Sequence, residues 1–168
     1  MNQAHRQIVI GVMGASSCND EVFNEAYEVG RLIARQGAIL LGGGRTGVME
    51  AAAKGAKQEG GLTVGILPGS NEMESPPNPF IDIAIFTGLS DARDAINVRS
   101  SDAVIALWGG FGTLAEIALA LKIGKPVIVL HSWRFEIDPP LPPAGVSVAS
   151  TAQEAVQLAL QQAKSHQR

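Results

Sequence analysis

Short apolar, β-branched runs alternate along this chain with longer stretches of helical spacing, and a glycine-bearing turn separates each pair. That βαβα order predicts strands at Ile8–Met13, Ala38–Leu41, Leu62–Leu67, Ile81–Phe86, Ala103–Leu107 and Pro126–Leu130, with a weaker one at Val146–Val148. Helices are expected at Asp20–Gln36, Val48–Glu59, Asp91–Ser100, Leu114–Ile123 and Ala152–Lys164. The strands read as continuous apolar runs rather than alternating ones, as a parallel sheet covered on both faces requires. The expected fold class is therefore α/β: a three-layer, Rossmann-like, doubly wound and mostly parallel sheet with helices on both faces. No repeat or linker divides the sequence, so residues 1–168 are read as a single ligand-binding domain with frayed ends at 1–6 and 162–168.

Local signals agree with the helices. Leu114, Ile117, Ala118 and Leu121 fall at i, i+3, i+4 and i+7 and make one apolar stripe. Thr113 with Glu116, and Thr151 with Glu154, have capping-box spacing. Two segments depart from the pattern. Residues 69–79 follow a strand end and are either a lid over a site or a mobile connection. The proline-rich Asp138–Pro143 reads as a connection.

Composition removes several classes of function. Cys18 is the only cysteine, and His5, His131 and His166 are dispersed, so neither a disulfide framework nor a protein-ligated metal is expected. Thirteen Lys+Arg against sixteen Asp+Glu give a net charge of −3 with no basic block. That balance argues against nucleic acid, whose binding rests on neutralising phosphates. The first apolar run is short and glycine-interrupted, unlike a signal-peptide core or a membrane span, and a cytoplasmic protein fits best.

In open parallel sheets the ligand crevice lies outside the carboxyl ends of the strands, where this chain puts three glycine-rich turns. The first carries Gly14, Ala15 and Ser16. The second runs Gly43, Gly44, Arg45, Thr46 and Gly47, with Met49 just inside the next helix. The third is Gly109, Gly110, Phe111, Gly112 and Thr113. The second and third lead directly into helices, whose unpaired N–H groups and positive dipole end suit an anion, and a Cβ would hold a phosphate away from them. The second turn formally matches G-x-G-x-x-G, but it follows the second strand and has no acidic residue about 20 positions on, so it does not carry a dinucleotide reading. For any one turn the alternative is that its glycines only let strand and helix pack closely.

Arg45 and Arg93 fall near predicted helix starts, where a cation is disfavoured unless an anion is present. Arg93 either meets such an anion, or points to solvent or pairs with Asp91, Asp94 or a partner subunit. Glu116 either closes its capping box or activates water or binds a ribose hydroxyl. Cys18 follows the first turn, where its thiolate could be stabilised, though no base lies beside it in sequence. Trp108 and Phe111 flank the third turn, to stack on a flat heterocycle or to pack in the core or an interface.

The stretch Ile39 to Glu50, followed by Lys54-Gly55-Ala56-Lys57, Gly65-Ile66-Leu67-Pro68-Gly69 and Thr87 to Asn97, strongly resembles the molybdenum cofactor carrier proteins, over about Ile8 to Leu130. The wider superfamily includes the Lonely Guy phosphoribohydrolases, which cleave the N-glycosidic bond of cytokinin nucleoside monophosphates. Their Pro-Gly-Gly-x-Gly-Thr-x-x-Glu signature is similar to Trp108 through Glu116, with Trp108 in place of the proline. The resemblance implies two readings. The first is a protein that holds the molybdenum cofactor, its phosphate on the glycine turns and Thr87, Gly88 and Arg93 nearby. The second is hydrolysis of a nucleoside 5′-monophosphate with Arg93 and Glu116 as catalytic residues; here Asp94 replaces the lysine that follows the arginine in those enzymes. A nucleotide sensor without chemistry is a third. The resemblance also implies a dimer or tetramer, and molybdoenzymes or cofactor-synthesis proteins as partners.

Overall fold

The computed structural model describes residues 6–134 and 145–166. Seven strands form one sheet: β1 (Val9–Gly14), β2 (Ile39–Gly42), β3 (Thr63–Leu67), β4 (Ile83–Phe86), β5 (Ala103–Leu107), β6 (Val127–Leu130) and β7 (Val146–Ala149). Their order across the sheet is β4-β3-β2-β1-β5-β6-β7, and every pairing is parallel. The chain therefore winds outward from β1 in one direction and resumes on its other side with β5. That reversal leaves a crevice between the carboxyl ends of β1 and β5.

Among the described residues, five helices cover the sheet: α1 (Asp20–Arg35), α2 (Val48–Gln58), α3 (Asp94–Ser100), α4 (Phe111–Lys122) and α5 (Ala152–His166). Helices α1, α2 and α5 bury Val29, Ile33, Ala52 and Ala159 in one core with Ile10, Ile105 and Ile128. Val98 of α3 and Ile117 of α4 join Met13, Val104 and Val129 in a second core on the other face. The three-layer, Rossmann-like architecture is as expected from the sequence. The inner strands β5 and β6 are buried throughout, whereas the edge strand β4 leaves Ile83 and Ile85 about half exposed.

Four local expectations change. The helix expected over Asp91–Ser100 is a 3-10 turn at Ser90–Arg93 followed by the seven-residue α3. Helix α4 starts at Phe111, with Gly110 as its N-cap and no side-chain cap. Thr113 and Glu116 are thus buried inside the helix, and the capping box between them does not form. At α5, Thr151 Oγ1 accepts the Glu154 N–H at 3.2 Å, while the Glu154 carboxylate reaches one residue further back, to Ser150 N–H at 2.8 Å. The same helix continues through the expected fraying to His166, because Ala163 is fully buried and Gln162 Nε2 donates to Ser147 Oγ at 2.8 Å.

Residues 69–79 are fastened to the second glycine turn. Asn78 donates from its backbone N–H to Gly44 O at 2.9 Å and from Nδ2 to Arg45 O at 2.8 Å. The segment Asp138–Pro143 lies outside the described residues.

Candidate functional site

A crevice of about 740 Å³ opens at the carboxyl ends of β1, β2 and β5, where the sheet order reverses. All three glycine turns reach it. Gly14, Ala15 and Ser16 come from the first, Gly43 and Arg45 from the second with Met49 beyond it, and Gly110, Phe111, Gly112 and Thr113 from the third. Arg93 and Glu116 complete the expected set there. Helices α2 and α4 start at the second and third turns with Gly47 and Gly110 as N-caps, neither making a side-chain cap. Side chains therefore do not claim the N-terminal amides of either helix.

The remaining expected residues do not line the crevice. Gly44 and Gly47 hold φ of +71° and +67°, a conformation that favours glycine, and pack against Gly65 Cα and the Ala15–Ser16 backbone. Thr46 Oγ1 donates to Ser16 O at 2.8 Å, joining the first two turns, and Thr87 Oγ1 donates to Leu67 O at 2.8 Å. Gly88 packs on Ser70, and Gly109 borders a neighbouring recess. The second turn thus divides its work: Gly44 and Gly47 shape the backbone, while Gly43 faces Arg93.

Arg93 does not face solvent. Its side chain is 15% exposed, Nη1 lies over Gly43, and Nε is buried without a hydrogen-bond partner. Asp94 Oδ1 stands 3.4 Å from that Nε. One helical turn on, the fully buried Asn97 donates from Nδ2 to Glu116 Oε1 at 3.1 Å, and Asn97 Oδ1 has no partner. Burial pushes the Glu116 carboxyl up to about 7; the Asp94 charge adds to this, while the Asn97 hydrogen bond and Arg93 oppose it. Asp94 is itself raised, mainly by burial, with Arg93 opposing and Asp91 adding. A carboxyl titrating near neutrality can give or take a proton. Cys18 goes the other way from thiolate stabilisation: burial and the charges of Asp20 and Glu50 push its thiol up.

Ser17 and Asp94 also line the crevice; sequence reasoning missed Asp91 as a crevice residue, and Asn97 behind it. Asn97 was findable, because it lies four residues after Arg93 and so shares its helical face. It also missed the clamp behind the third turn. Trp108 and His131, at the ends of β5 and β6, hold φ of +51° and +48°, and such non-glycine conformations cost about 1–3 kcal/mol each. Trp108 Nε1 donates to Glu25 Oε2 at 3.0 Å, and His131 Nδ1 lies 3.1 Å from the same oxygen. Ser132 Oγ donates to Trp108 O at 2.6 Å and Trp133 Nε1 to Gly110 O at 3.1 Å. Phe111 is 82% exposed beside Trp133, with ring centroids 5.9 Å apart, and so does not pack in the core. Among the described residues, no three His, Cys, Asp or Glu side chains converge on a metal position, and no helix is long and apolar enough to cross a membrane.

The sequence profile of the SLOG cluster4 family matches residues 7–166. The structure of the molybdenum cofactor binding protein from the phototrophic bacterium Rippkaea orientalis superposes with a TM-score of 0.85 at 45% identity, covering 94% of this chain and 98% of that one. The molybdenum cofactor carrier protein of Chlamydomonas reinhardtii gives 0.83 at 41% identity with the same coverages. The cytokinin riboside 5′-monophosphate phosphoribohydrolase of Mycobacterium tuberculosis is 36% identical over 126 residues, 71% of this chain and 67% of that protein. Both resemblances drawn from the residues are met by these similarities.

Proposed function

The chain belongs to the SLOG cluster4 family, and we propose that it binds and carries the molybdenum cofactor, a pterin bearing one phosphate and a dithiolene-bound metal. The observation that carries this reading is Arg93: a largely shielded guanidinium lying over Gly43, its buried Nε 3.4 Å from Asp94 and without a hydrogen-bond partner, in a crevice that the uncapped N-terminus of α4 also reaches. A buried cation with unused donors is completed by an anion. The phosphate is assigned to Arg93 and the second and third glycine turns, and the pterin to the rest of the crevice, whose volume suits one small ligand. The metal is cargo held through its pterin rather than through protein ligands. The similarity to two molybdenum cofactor proteins supports the same ligand.

The test is anaerobic ultrafiltration of the purified protein with isolated molybdenum cofactor, the pterin being quantified on both sides of the membrane. Saturable retention supports the reading, and retention no greater than that of an unrelated protein overturns it. We extend the proposal to a single domain acting in the cytoplasm as a homo-oligomer, delivering to or receiving from molybdoenzymes or cofactor-synthesis proteins.

One observation favours a second reading, hydrolysis of a nucleoside 5′-monophosphate: Glu116 shares the crevice with Arg93 and titrates near neutrality. In that reaction Arg93 orients the phosphate and Glu116 stabilises the oxocarbenium-like centre or activates water. Release of base from AMP by the native protein, lost in Glu116→Ala, would favour it over carriage.

A further inference from the structure

The crevice is not built for an anion alone. Arg45 and Arg93 line it together with three carboxylates, Asp91, Asp94 and Glu116. A bare phosphate would gain from the two guanidinium groups and be repelled by the carboxylates. A ligand that pairs a phosphate with a second, hydrogen-bond-donating edge uses both sets.

The three carboxylates are not equivalent. Glu116 already accepts a hydrogen bond from Asn97, and the side chain of Asp91 belongs to an exposed residue of the 3-10 turn. Asp94 is 15% exposed, yet among the described residues no group donates a hydrogen bond to it. Its nearest cation, Arg93 Nε at 3.4 Å, is buried without a hydrogen-bond partner, while the Asp94 carboxylate remains open to the crevice that it lines. A carboxylate accepts through two parallel oxygens, and one that faces a crevice without protein donors is free to take both from a ligand. The matching ligand group is a planar edge with two adjacent N–H donors.

We propose that Asp94 is a specificity-determining residue that accepts the paired N–H donors of a 2-amino-4-oxopyrimidine ring, the edge shared by pterins and guanine and absent from adenine. The assignment rests on the cofactor-binding reading for its site and names what that site reads besides phosphate. Phe111, exposed at the crevice wall, offers an aromatic face to the same flat ring. The ring is thereby distinguished by its donors, and the phosphate by Arg93.

Calorimetric titration of GMP, IMP and AMP into the native protein tests this, since all three carry the same 5′-phosphate and the ratios isolate the ring. IMP keeps the ring N–H and lacks the amino group, so affinity should fall in the order GMP, IMP, AMP, with GMP ahead of AMP about tenfold or more. In Asp94→Asn, which puts a donor where an acceptor is needed, the preference should collapse; circular dichroism confirms that the variant is folded. AMP binding as tightly as GMP to the native protein overturns the assignment whatever the variant does. A GMP preference that survives in folded Asp94→Asn overturns it too, as does retention of molybdenum cofactor with no measurable binding of GMP. A GMP preference abolished by Asp94→Asn, with no cofactor retained, would keep Asp94 as the reader of the ring and remove the carrier reading instead.

Discussion

Gly43 lies directly against the head of Arg93: a Cβ on that glycine would stand 2.4 Å from Arg93 Nη1 and 2.7 Å from Met49 Sδ. Both neighbours are the free ends of flexible side chains, so the fold can yield where the guanidinium cannot keep its position. Gly43→Ala is therefore expected to change unfolding free energy by no more than about 0.5 kcal/mol. Ligand affinity should fall about tenfold or more, the scale of a displaced charge-assisted hydrogen bond. Urea unfolding beside ligand titration separates the two effects; a variant that binds normally would detach Gly43 from the site.

Glu116 makes stability depend on pH. Its folded pKa of about 7 lies above the ordinary 4.5, so the native state holds the proton more tightly than the unfolded chain does. The stability this contributes is fully present below about pH 4.5 and is lost as pH rises through 7, a change on the order of 3 kcal/mol. Glu116→Gln, which keeps an acceptor for Asn97, should flatten that slope between pH 5 and 8 in chemical denaturation. An unchanged slope would contradict the assignment of this titration to Glu116.

Helices α1 and α2 touch through two glycines. A Cβ on Gly30 would stand 1.9 Å from Ala52 O, and one on Gly55 1.9 Å from Tyr27 O. Those are backbone atoms and cannot swing aside. Alanine at either position should destabilise by about 1–2 kcal/mol or more, overpacking outweighing its better helix propensity. Thermal or urea unfolding reads this directly, and a stabilised variant would refute the close approach.

The Glu25 carboxylate holds two strained turns at once, through Trp108 and His131. Glu25→Ala is expected to lower stability by about 1–3 kcal/mol. In a double-mutant cycle with His131→Ala the losses should be non-additive, because both remove one network. Strict additivity would mean that the two residues act independently.

The fold was legible because each strand–turn–helix unit carries its own punctuation: the apolar run Ala103–Leu107, the glycines after it and the stripe on α4 all lie within twenty residues. The crevice was legible for the same reason, since glycine turns after parallel strands converge at the switch point. Pairings between distant segments were not. Glu25 meets Trp108 across 83 residues and His131 across 106, and no local pattern marks it. The capping-box spacing of Thr113 and Glu116 misled because α4 begins three residues earlier than expected, at Phe111, which turns Glu116 from a cap into a buried crevice acid.

Whether Arg93 anchors the cofactor is read from molybdenum cofactor retention by the native protein and Arg93→Ala, measured together by anaerobic ultrafiltration at one ionic strength. Saturation near one cofactor per chain is expected for the native protein. Arg93→Ala should bind about ten- to a hundredfold more weakly, the 1.5–3 kcal/mol scale of a charge-assisted hydrogen bond. Equal retention by both proteins, or none by the native one, would contradict that anchoring.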